Sequence, residues 1–148
     1  MESDFVRISE EDIGRLIRAA ALARERAYAP YSGFAVGAAV LTDEGNIYSG
    51  ANIENASYGL TLCAERMAIG AAVNAGESYI RAIAVLGADI EVPNFSMRVP
   101  PCGACRQVMA EFMHDDSVVI IASLSGGYDS YILKNLLPVA FKLEDPER

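Results

Sequence analysis

The sequence predicts a single α/β domain in which one mixed five-stranded sheet lies between helices on both of its faces. Helix-type and strand-type segments alternate along the chain, which is typical of this three-layer α/β/α class. The length of 148 residues is close to that of one domain and is enough to bury a core without disulfides. We therefore treat residues 1–148 as one domain.

The first half of the chain predicts a helix followed by a β-hairpin. Ser9 precedes three acidic residues, and apolar side chains then recur at helical spacing as far as Ala27, before Pro30 ends the helix. Residues 34–42 are apolar on both alternating faces, as in a strand covered on both sides. Turn-forming residues follow, and residues 47–53 are predicted to be the returning strand.

The second half predicts the remaining helices and strands of the sheet. The expected elements are a helix over 63–75 ended by Gly76, a strand over 80–86, a loop over 87–99, a helix over 103–113, a strand over 118–122, a glycine turn at 126–127, a last strand, and a short helix at 134–137. Only a few residues link the last two strands, too few for the crossover that parallel strands need. The last strand is therefore expected to be antiparallel to its neighbour.

Composition and charge restrict the class of partner. The chain is 52% hydrophobic with a mean hydropathy of +0.20, yet it lacks the run of roughly 18 apolar residues that a membrane span requires. Its net charge of −8 opposes binding to polynucleotides, whose phosphates are also negative. Four acidic residues in Met1–Glu11 are unlike an export signal. These features predict a cytoplasmic protein that acts on a small molecule, without a membrane or nucleic-acid partner.

Three cysteines are the strongest chemical signal in the sequence. An odd number in a short chain argues against a disulfide framework and leaves metal, redox or catalytic use. Cys63 is predicted at the start of the second helix, and Cys102 and Cys105 share one face at the start of the third. Helix N-termini stabilise thiolates, so the three together predict a zinc site whose fourth position is open to water.

Charged residues beside the cysteines complete this candidate site. Glu65 lies two residues after Cys63, where its carboxylate could contact a metal-bound water and shuttle protons without ligating the metal. Three thiolates leave a divalent zinc with net negative charge, which nearby cations would offset. Arg66 and Arg106 each follow a motif cysteine closely.

Several motifs together resemble one known family. They are Tyr31-Ser32-Gly33-Phe34, Val36-Gly37-Ala38-Ala39, Asn52-Ile53-Glu54-Asn55-Ala56-Ser57-Tyr58, Thr61-Leu62-Cys63-Ala64-Glu65-Arg66 and Pro101-Cys102-Gly103-Ala104-Cys105-Arg106-Gln107. The chain resembles the small, homotetrameric, zinc-dependent cytidine deaminases of the cytidine and deoxycytidylate deaminase family. The resemblance runs from the first helix to Phe141. Within it, the loop over 87–99 is longer than expected for small members.

The resemblance implies a reaction and a metal site. The expected activity is hydrolytic deamination of free cytidine and deoxycytidine to uridine and deoxyuridine in pyrimidine salvage, by zinc-bound hydroxide attacking C4. Glu65 is the implied proton shuttle. Cys63, Cys102 and Cys105 are the implied ligands of one zinc ion per subunit, and Arg66 is expected to bond their sulfurs.

The resemblance also implies the substrate contacts. Asn52 and Glu54 match residues that hold the ribose hydroxyls, Phe34 matches an aromatic beside the base, and Ala64 belongs to the same substrate-binding set. Phe141 matches an aromatic that closes the pocket of a neighbouring subunit. The expected assembly is therefore a homotetramer with shared active sites.

The sequence leaves other functions open for the cysteines and for the site. Cys102-Gly-Ala-Cys105 alone resembles a dithiol redox motif, but a third cysteine and Glu65 would then have no task. A structural zinc site would need a fourth ligand, and the single histidine, His114, is expected on the solvated surface. Among deaminases, the alternatives are one acting on blasticidin S and one editing polynucleotides. The Asn52 and Glu54 motif and the negative charge favour a nucleoside.

Overall fold

The computed structural model describes residues 8–144, which form four helices and five strands. The helices are α1 (Glu10–Arg24), α2 (Ala64–Asn74), α3 (Gly103–Phe112) and α4 (Leu133–Leu136). The strands are β1 (Phe34–Thr42), β2 (Ile47–Ala51), β3 (Ile80–Asp89), β4 (Met113–Ala122) and β5 (Tyr128–Ile132), and a short 3₁₀ turn spans Tyr58–Leu60. The prediction that Met1–Glu11 is not an export signal concerns in part residues outside the described range.

The five strands form one mixed sheet in the order β2-β1-β3-β4-β5. Strand β1 pairs antiparallel with both β2 and β3, and β3 pairs parallel with β4. Strand β5 returns antiparallel to β4. The predicted five-stranded mixed sheet with an antiparallel last strand is therefore confirmed.

Helices cover both faces of this sheet, which confirms the three-layer architecture. Leu16 and Ala20 of α1 pack on one face, in a cluster that includes Leu41 of β1. Ala68 of α2 and Met109 of α3 pack on the opposite face, where α4 also lies. Strand β1 supplies both layers because its side chains alternate between the faces. No helix within residues 8–144 has the length and apolar character needed to cross a membrane.

Close backbone approach brings α2 onto the sheet. Gly50 of β2 lies directly beneath the helix, where a Cβ atom would come 2.7 Å from the backbone nitrogen of Ala68 and 2.7 Å from Cβ of Met67. Only a residue without a side chain allows this distance between helix and strand. Gly50 therefore helps to fix the position of the helix whose N-terminus carries Cys63 and Glu65.

Element boundaries differ from the sequence predictions where long-range backbone pairing decides them. The helical pattern through Ala27 is wrong for the last residues, because α1 ends at Arg24 and Tyr28 instead pairs with the segment at Ile53. Strand β2 ends at Ala51, two residues early, since Ile53 forms only isolated bridges.

The other boundary differences lie in the second half of the chain. Strand β3 continues to Asp89 because it pairs with β1, so the loop predicted from residue 87 begins later. Strand β4 begins at Met113, five residues before the prediction, because Met113 pairs with Ile80. Helix α4 begins at Leu133, one residue early.

Candidate active site

The N-termini of α2 and α3 bring the three cysteines together. Cys63 is the N-cap of α2 and Cys102 is the N-cap of α3, each accepting a first-turn backbone hydrogen bond at its carbonyl oxygen. Cys105 lies one turn into α3 and is fully buried. The three Sγ atoms all lie within 4.8 Å of one another. The convergence expected from their spacing is what the structure shows.

This thiol cluster fits a zinc ion. A tetrahedral zinc with Zn–S bonds of about 2.3 Å places its sulfur ligands roughly 3.8 Å apart, which three thiols gathered this closely can adopt. Within the described part of the chain, no ligand atom of a fourth cysteine, histidine, aspartate or glutamate joins the group. Nε of Arg66, next to the cluster, is a buried polar atom that has no hydrogen-bond partner among those residues. The donor set is that of a site with one position left for water or substrate.

Arg66 stabilises negative charge on the cluster. Its Nη2 donates to Sγ of Cys63 at 3.6 Å and to the carbonyl oxygen of Thr61 at 3.1 Å. Hydrogen bonding from Cys105, together with Arg66, lowers the pKa of Cys63 to about 5, although burial opposes the shift. The pKa of Cys105 is raised, chiefly by its hydrogen bond with Cys63 and by burial. The shared hydrogen bond and Arg66 therefore favour negative charge on Cys63 over Cys105.

Glu65 is a buried carboxyl group beside the cysteines. Its side chain is 5% exposed, and burial raises its pKa above the ordinary value. A carboxyl group with a raised pKa can both accept and return a proton near neutral pH, which is the property needed of a general acid and base. Glu65 is not one of the residues of the thiol cluster.

A cavity of about 230 Å³ opens beside this cluster. It is lined by Phe34, Val36, Asn52, Thr61, Cys63, Ala64, Glu65, Val85, Val99, Pro100 and Cys102. Its walls are mainly apolar, and they also include the thiols of Cys63 and Cys102 and the carboxyl group of Glu65, a combination expected of a small-molecule site. The sequence predictions for Phe34, Asn52 and Ala64 therefore fall on one cavity together with two of the three thiols and Glu65.

Comparison with known proteins identifies the family. Residues 10–122 match the model of the cytidine and deoxycytidylate deaminase zinc-binding region. A cytidine deaminase of Halalkalibacterium halodurans is 52% identical over 130 residues, which are 88% of this chain and 94% of that protein. The crystal structure of a cytidine deaminase from Burkholderia pseudomallei superposes with a TM-score of 0.79 at 43% identity, covering 90% of this chain and all of that one.

The chain belongs to the cytidine and deoxycytidylate deaminase family. The predictions of the family, of its fold and of zinc as its cofactor are thereby confirmed. The redox and structural-zinc alternatives are not supported, because the match spans the three cysteines and most of the chain. A blasticidin-S deaminase of Bacillus cereus is more distant, at 33% identity over 108 residues, 72% of this chain and 76% of that protein.

Asn52 and Glu54 line two different, neighbouring cavities. Asn52 is 9% exposed and spans the edge of β1, accepting from the backbone N–H of Val36 and donating to the carbonyl oxygen of Phe34. Glu54 lines a neighbouring cavity of about 370 Å³, which shares Thr61 with the first. Its carboxylate accepts from Ser32 Oγ and from the backbone N–H groups of Tyr31 and Ser32, and these bonds lower its pKa.

The C-terminal segment, residues 139–143, contacts α3 and does not line the cavity of its own chain. Phe141 is 71% exposed and is not among the residues lining that cavity. Its carbonyl oxygen accepts a hydrogen bond from Nε2 of Gln107, a residue to which the sequence assigned no role. Arg106 donates to the carbonyl oxygens of Pro101 and Leu136, so it joins the start of α3 to α4 and does not contact the thiols through these bonds.

Five lining residues were not predicted as site residues: Val36, Thr61, Val85, Val99 and Pro100. Thr61 and Val36 lie inside motifs that carried the family resemblance, so the motifs themselves could have identified them. Val99 and Pro100 directly precede the Pro101-Cys102 motif, and this proximity was the available signal. His114, expected on the surface, lies in β4, where its Nε2 pairs with Asp43 at 2.8 Å.

Proposed function

We propose that this chain hydrolyses free cytidine and deoxycytidine to uridine and deoxyuridine, releasing ammonia. The observation that carries the proposal is one small cavity lined by Cys63 and Cys102 of the three-thiol cluster and by a buried carboxyl group of raised pKa, that of Glu65. Hydrolysis of a cyclic amidine needs an activated water and a group that moves protons between that water and the ring. The cavity offers residues suited to both tasks.

Cys63, Cys102 and Cys105 are the residues that would hold the zinc ion. When bound, zinc supplies a Lewis acid that lowers the pKa of water and makes it a nucleophile near neutral pH. Arg66 offsets the charge of the thiolates through its contact with Cys63, which keeps the cluster from becoming too electron-rich for this role.

Glu65 carries the protons in the proposed reaction. Its carboxylate accepts a proton as water adds to C4 of the pyrimidine and delivers a proton to N3. In a second transfer Glu65 takes the proton of the new C4 hydroxyl and passes it to the exocyclic nitrogen, so that the C4 carbonyl forms, the C4–N bond breaks and ammonia leaves. The balance is one water consumed and one ammonia released, with Glu65 returned to its starting state. Burial of Glu65 supports this role because it raises the pKa toward the working pH.

The remaining cavity residues bind the nucleoside. Phe34 and Ala64 line the space beside the thiols, where the base would lie. The side-chain amide of Asn52 donates one hydrogen bond to β1 and accepts one from it. Its second amide hydrogen and its second oxygen lone pair remain for a ribose hydroxyl. Glu54 lies in the adjoining cavity, and its carboxylate, ionised because its pKa is lowered, can accept from a hydroxyl that extends past Thr61.

A free nucleoside is favoured over the other deaminase substrates. The net charge of −8 opposes a polynucleotide, whose binding depends largely on phosphate contacts. A blasticidin-type substrate lacks the free ribose that Asn52 and Glu54 are proposed to hold. The product is a nucleoside that pyrimidine salvage can reuse.

The working assembly is proposed to be a homotetramer in which Phe141 closes a neighbour's cavity. Phe141, Val139 and Leu143 are all exposed near the end of the described chain, and three neighbouring apolar side chains are costly to leave in water. A symmetric assembly would bury them.

One experiment tests the reaction. The purified protein, loaded with one equivalent of zinc, is mixed in separate reactions with cytidine, deoxycytidine, cytosine, blasticidin S and single-stranded DNA, and the loss of cytosine absorbance is followed. We expect turnover of the two nucleosides, and very weak turnover of cytosine because the sugar contributes binding energy that positions the base. Equal activity on cytosine or DNA, or a preference for blasticidin S, would reject the nucleoside assignment.

A further inference from the structure

Gly87 of β3 lies behind the wall of the cavity. It is the partner of Val36 on β1, so the two residues face the same side of the sheet as Val85, which is two positions away. Val36 and Val85 both line the cavity. A side chain at position 87 would therefore rise from the same sheet surface.

Two cavity residues occupy the space that this missing side chain would fill. A Cβ atom at Gly87 would come 3.0 Å from Cε1 of Phe34 and 3.0 Å from Cγ2 of Val36. Such distances are shorter than ordinary van der Waals contact, so both side chains would have to move. The same Cβ atom would lie 3.3 Å from the carbonyl oxygen of Ala35, so the backbone of β1 leaves little room behind the two side chains, and we infer that they would move toward the cavity that they line.

We propose that Gly87 determines the size of base that the site accepts, by allowing the Phe34 ring and Val36 to lie against the sheet. Gly87 is thus a positioning residue that acts through Phe34. The substrates whose binding it would affect most are cytosine nucleosides that carry an additional substituent on the ring. The inference rests on the proposed function, since it takes Phe34 to lie beside the base. A cavity of about 230 Å³ is small enough for a displaced ring to matter.

The test compares Gly87→Ala with the unchanged protein on cytidine and on 5-methylcytidine. We expect the KM for cytidine to rise while kcat changes little, because the ring restricts binding and leaves Glu65 and the thiols in place. The kcat/KM ratio of 5-methylcytidine to cytidine should fall by about tenfold, the effect of one methyl group in a tight apolar pocket. If 5-methylcytidine is not turned over, its inhibition constant against cytidine gives the same comparison.

Gly70→Ala is the matched control. Gly70 lies in α2, and a Cβ atom there would meet nothing within 4 Å, so the same chemical change should leave the ratio unaltered. Thermal unfolding and zinc content of both variants show whether the fold and metal site are intact.

A second pair of variants tests whether Gly87 acts through the ring of Phe34. Phe34→Leu removes the ring atom that approaches Gly87, so adding Gly87→Ala to it should change the substrate ratio much less than in the natural chain. An unchanged ratio in Gly87→Ala, or an equal loss with and without the ring, would reject the role of Gly87. Absence of cytidine turnover in the unchanged, zinc-loaded protein would instead reject the proposed function itself.

Discussion

At the scale of single residues, charge around Cys63 decides which form the thiol cluster takes. Cys63 shares hydrogen bonds with Cys105 and Arg66, and these lower its pKa to about 5. The pKa of Cys105 is raised in turn, chiefly by its hydrogen bond with Cys63 and by burial. A metal ion would remove this difference between the pKa values of Cys63 and Cys105, because it would replace the thiol protons. Zinc binding should therefore release protons and weaken as the pH falls.

Arg66→Gln should raise the pKa of Cys63 and weaken zinc binding by about 10- to 100-fold, since a neutral amide no longer offsets the thiolate charge. In the metal-free protein, the thiolate absorbance of the natural chain should disappear near pH 5, and that of the variant at a higher pH. Because folding lowers this pKa, the stability it contributes is complete above the unfolded value and is lost as the pH falls through about 5.

The matched control for Arg66→Gln is Arg15→Gln, which removes an exposed arginine paired with Asp12 on α1. Competition with a chelator measures the zinc affinity of each variant. An Arg66→Gln protein with the zinc affinity of the natural chain would show that the contact to Cys63 does not tune the site.

Glu65→Gln should retain its zinc and lose at least about 100-fold in kcat, because glutamine keeps the shape of the side chain and cannot carry a proton. Elemental analysis and steady-state kinetics give the two quantities. Glu25→Gln, the same change at an exposed position after α1, should retain both its zinc and its kcat. Stoichiometric loss of zinc from Glu65→Gln would mean that Glu65 is a ligand and not the proton carrier.

The chemistry of the site could be predicted from the sequence more fully than its polar contacts. Spacing along one helix predicted that Cys102 and Cys105 share a face, and capping patterns placed Cys63 and Glu65 at the start of another helix; that the two helix starts meet depends on the tertiary fold. The hydrogen bonds of Asn52 to β1 and of Glu54 to the loop at Tyr31 could not be predicted, because they depend on how separate segments approach one another. The role proposed for Gly87 could not be predicted for the same reason, because it depends on the pairing of Gly87 with Val36 on the neighbouring strand.

At the scale of elements, close helix–sheet contact positions the N-terminus of α2. The helix rests on β2 at Gly50, and its first turn carries Ala64 and Glu65 into the cavity wall. The existence of these elements followed from hydrophobic periodicity. Their ends did not, since Met113 and Asp89 are in strands through pairing with Ile80 and Phe34, distant in sequence.

Gly50→Ala should lower the free energy of unfolding by at least about 2 kcal/mol, because the new methyl group would lie only 2.7 Å from the backbone of α2. Displacement of α2 should also reduce activity, since Glu65 moves with the helix. Denaturant unfolding of the zinc-loaded protein measures the first effect. Gly70→Ala adds a methyl group to α2 where there is room, and it should not destabilise the protein; equal stability of Gly50→Ala and Gly70→Ala would contradict the proposed packing constraint.

At the scale of the whole molecule, the exposed residues 139–143 do not contribute to the cavity of their own chain. Within residues 8–144, the cavity is bounded by β1, the segment before α3 and the start of α2, and Phe141 lies elsewhere. The hydrogen bond from Gln107 joins the segment to α3, and the ion pair between Lys142 and Asp115 joins it to the start of β4. A partner subunit could therefore meet Phe141 in a fixed position.

Mixed assemblies of Glu65→Gln and Phe141→Ala chains should be more active than the average of the two parents if each cavity uses Phe141 of a neighbour. Each variant is expected to be strongly impaired alone, because every site then lacks one of the two side chains. In randomly mixed assemblies, about one quarter of the sites would combine an intact Glu65 with an intact Phe141 from another chain. The chains are unfolded and refolded together with zinc, and activity is compared with each parent refolded separately and combined afterwards. Size-exclusion chromatography with light scattering checks that all three samples are tetramers. Activity equal to the parental average, from samples that are folded and tetrameric, would mean that Phe141 serves its own subunit and that the sites are not shared.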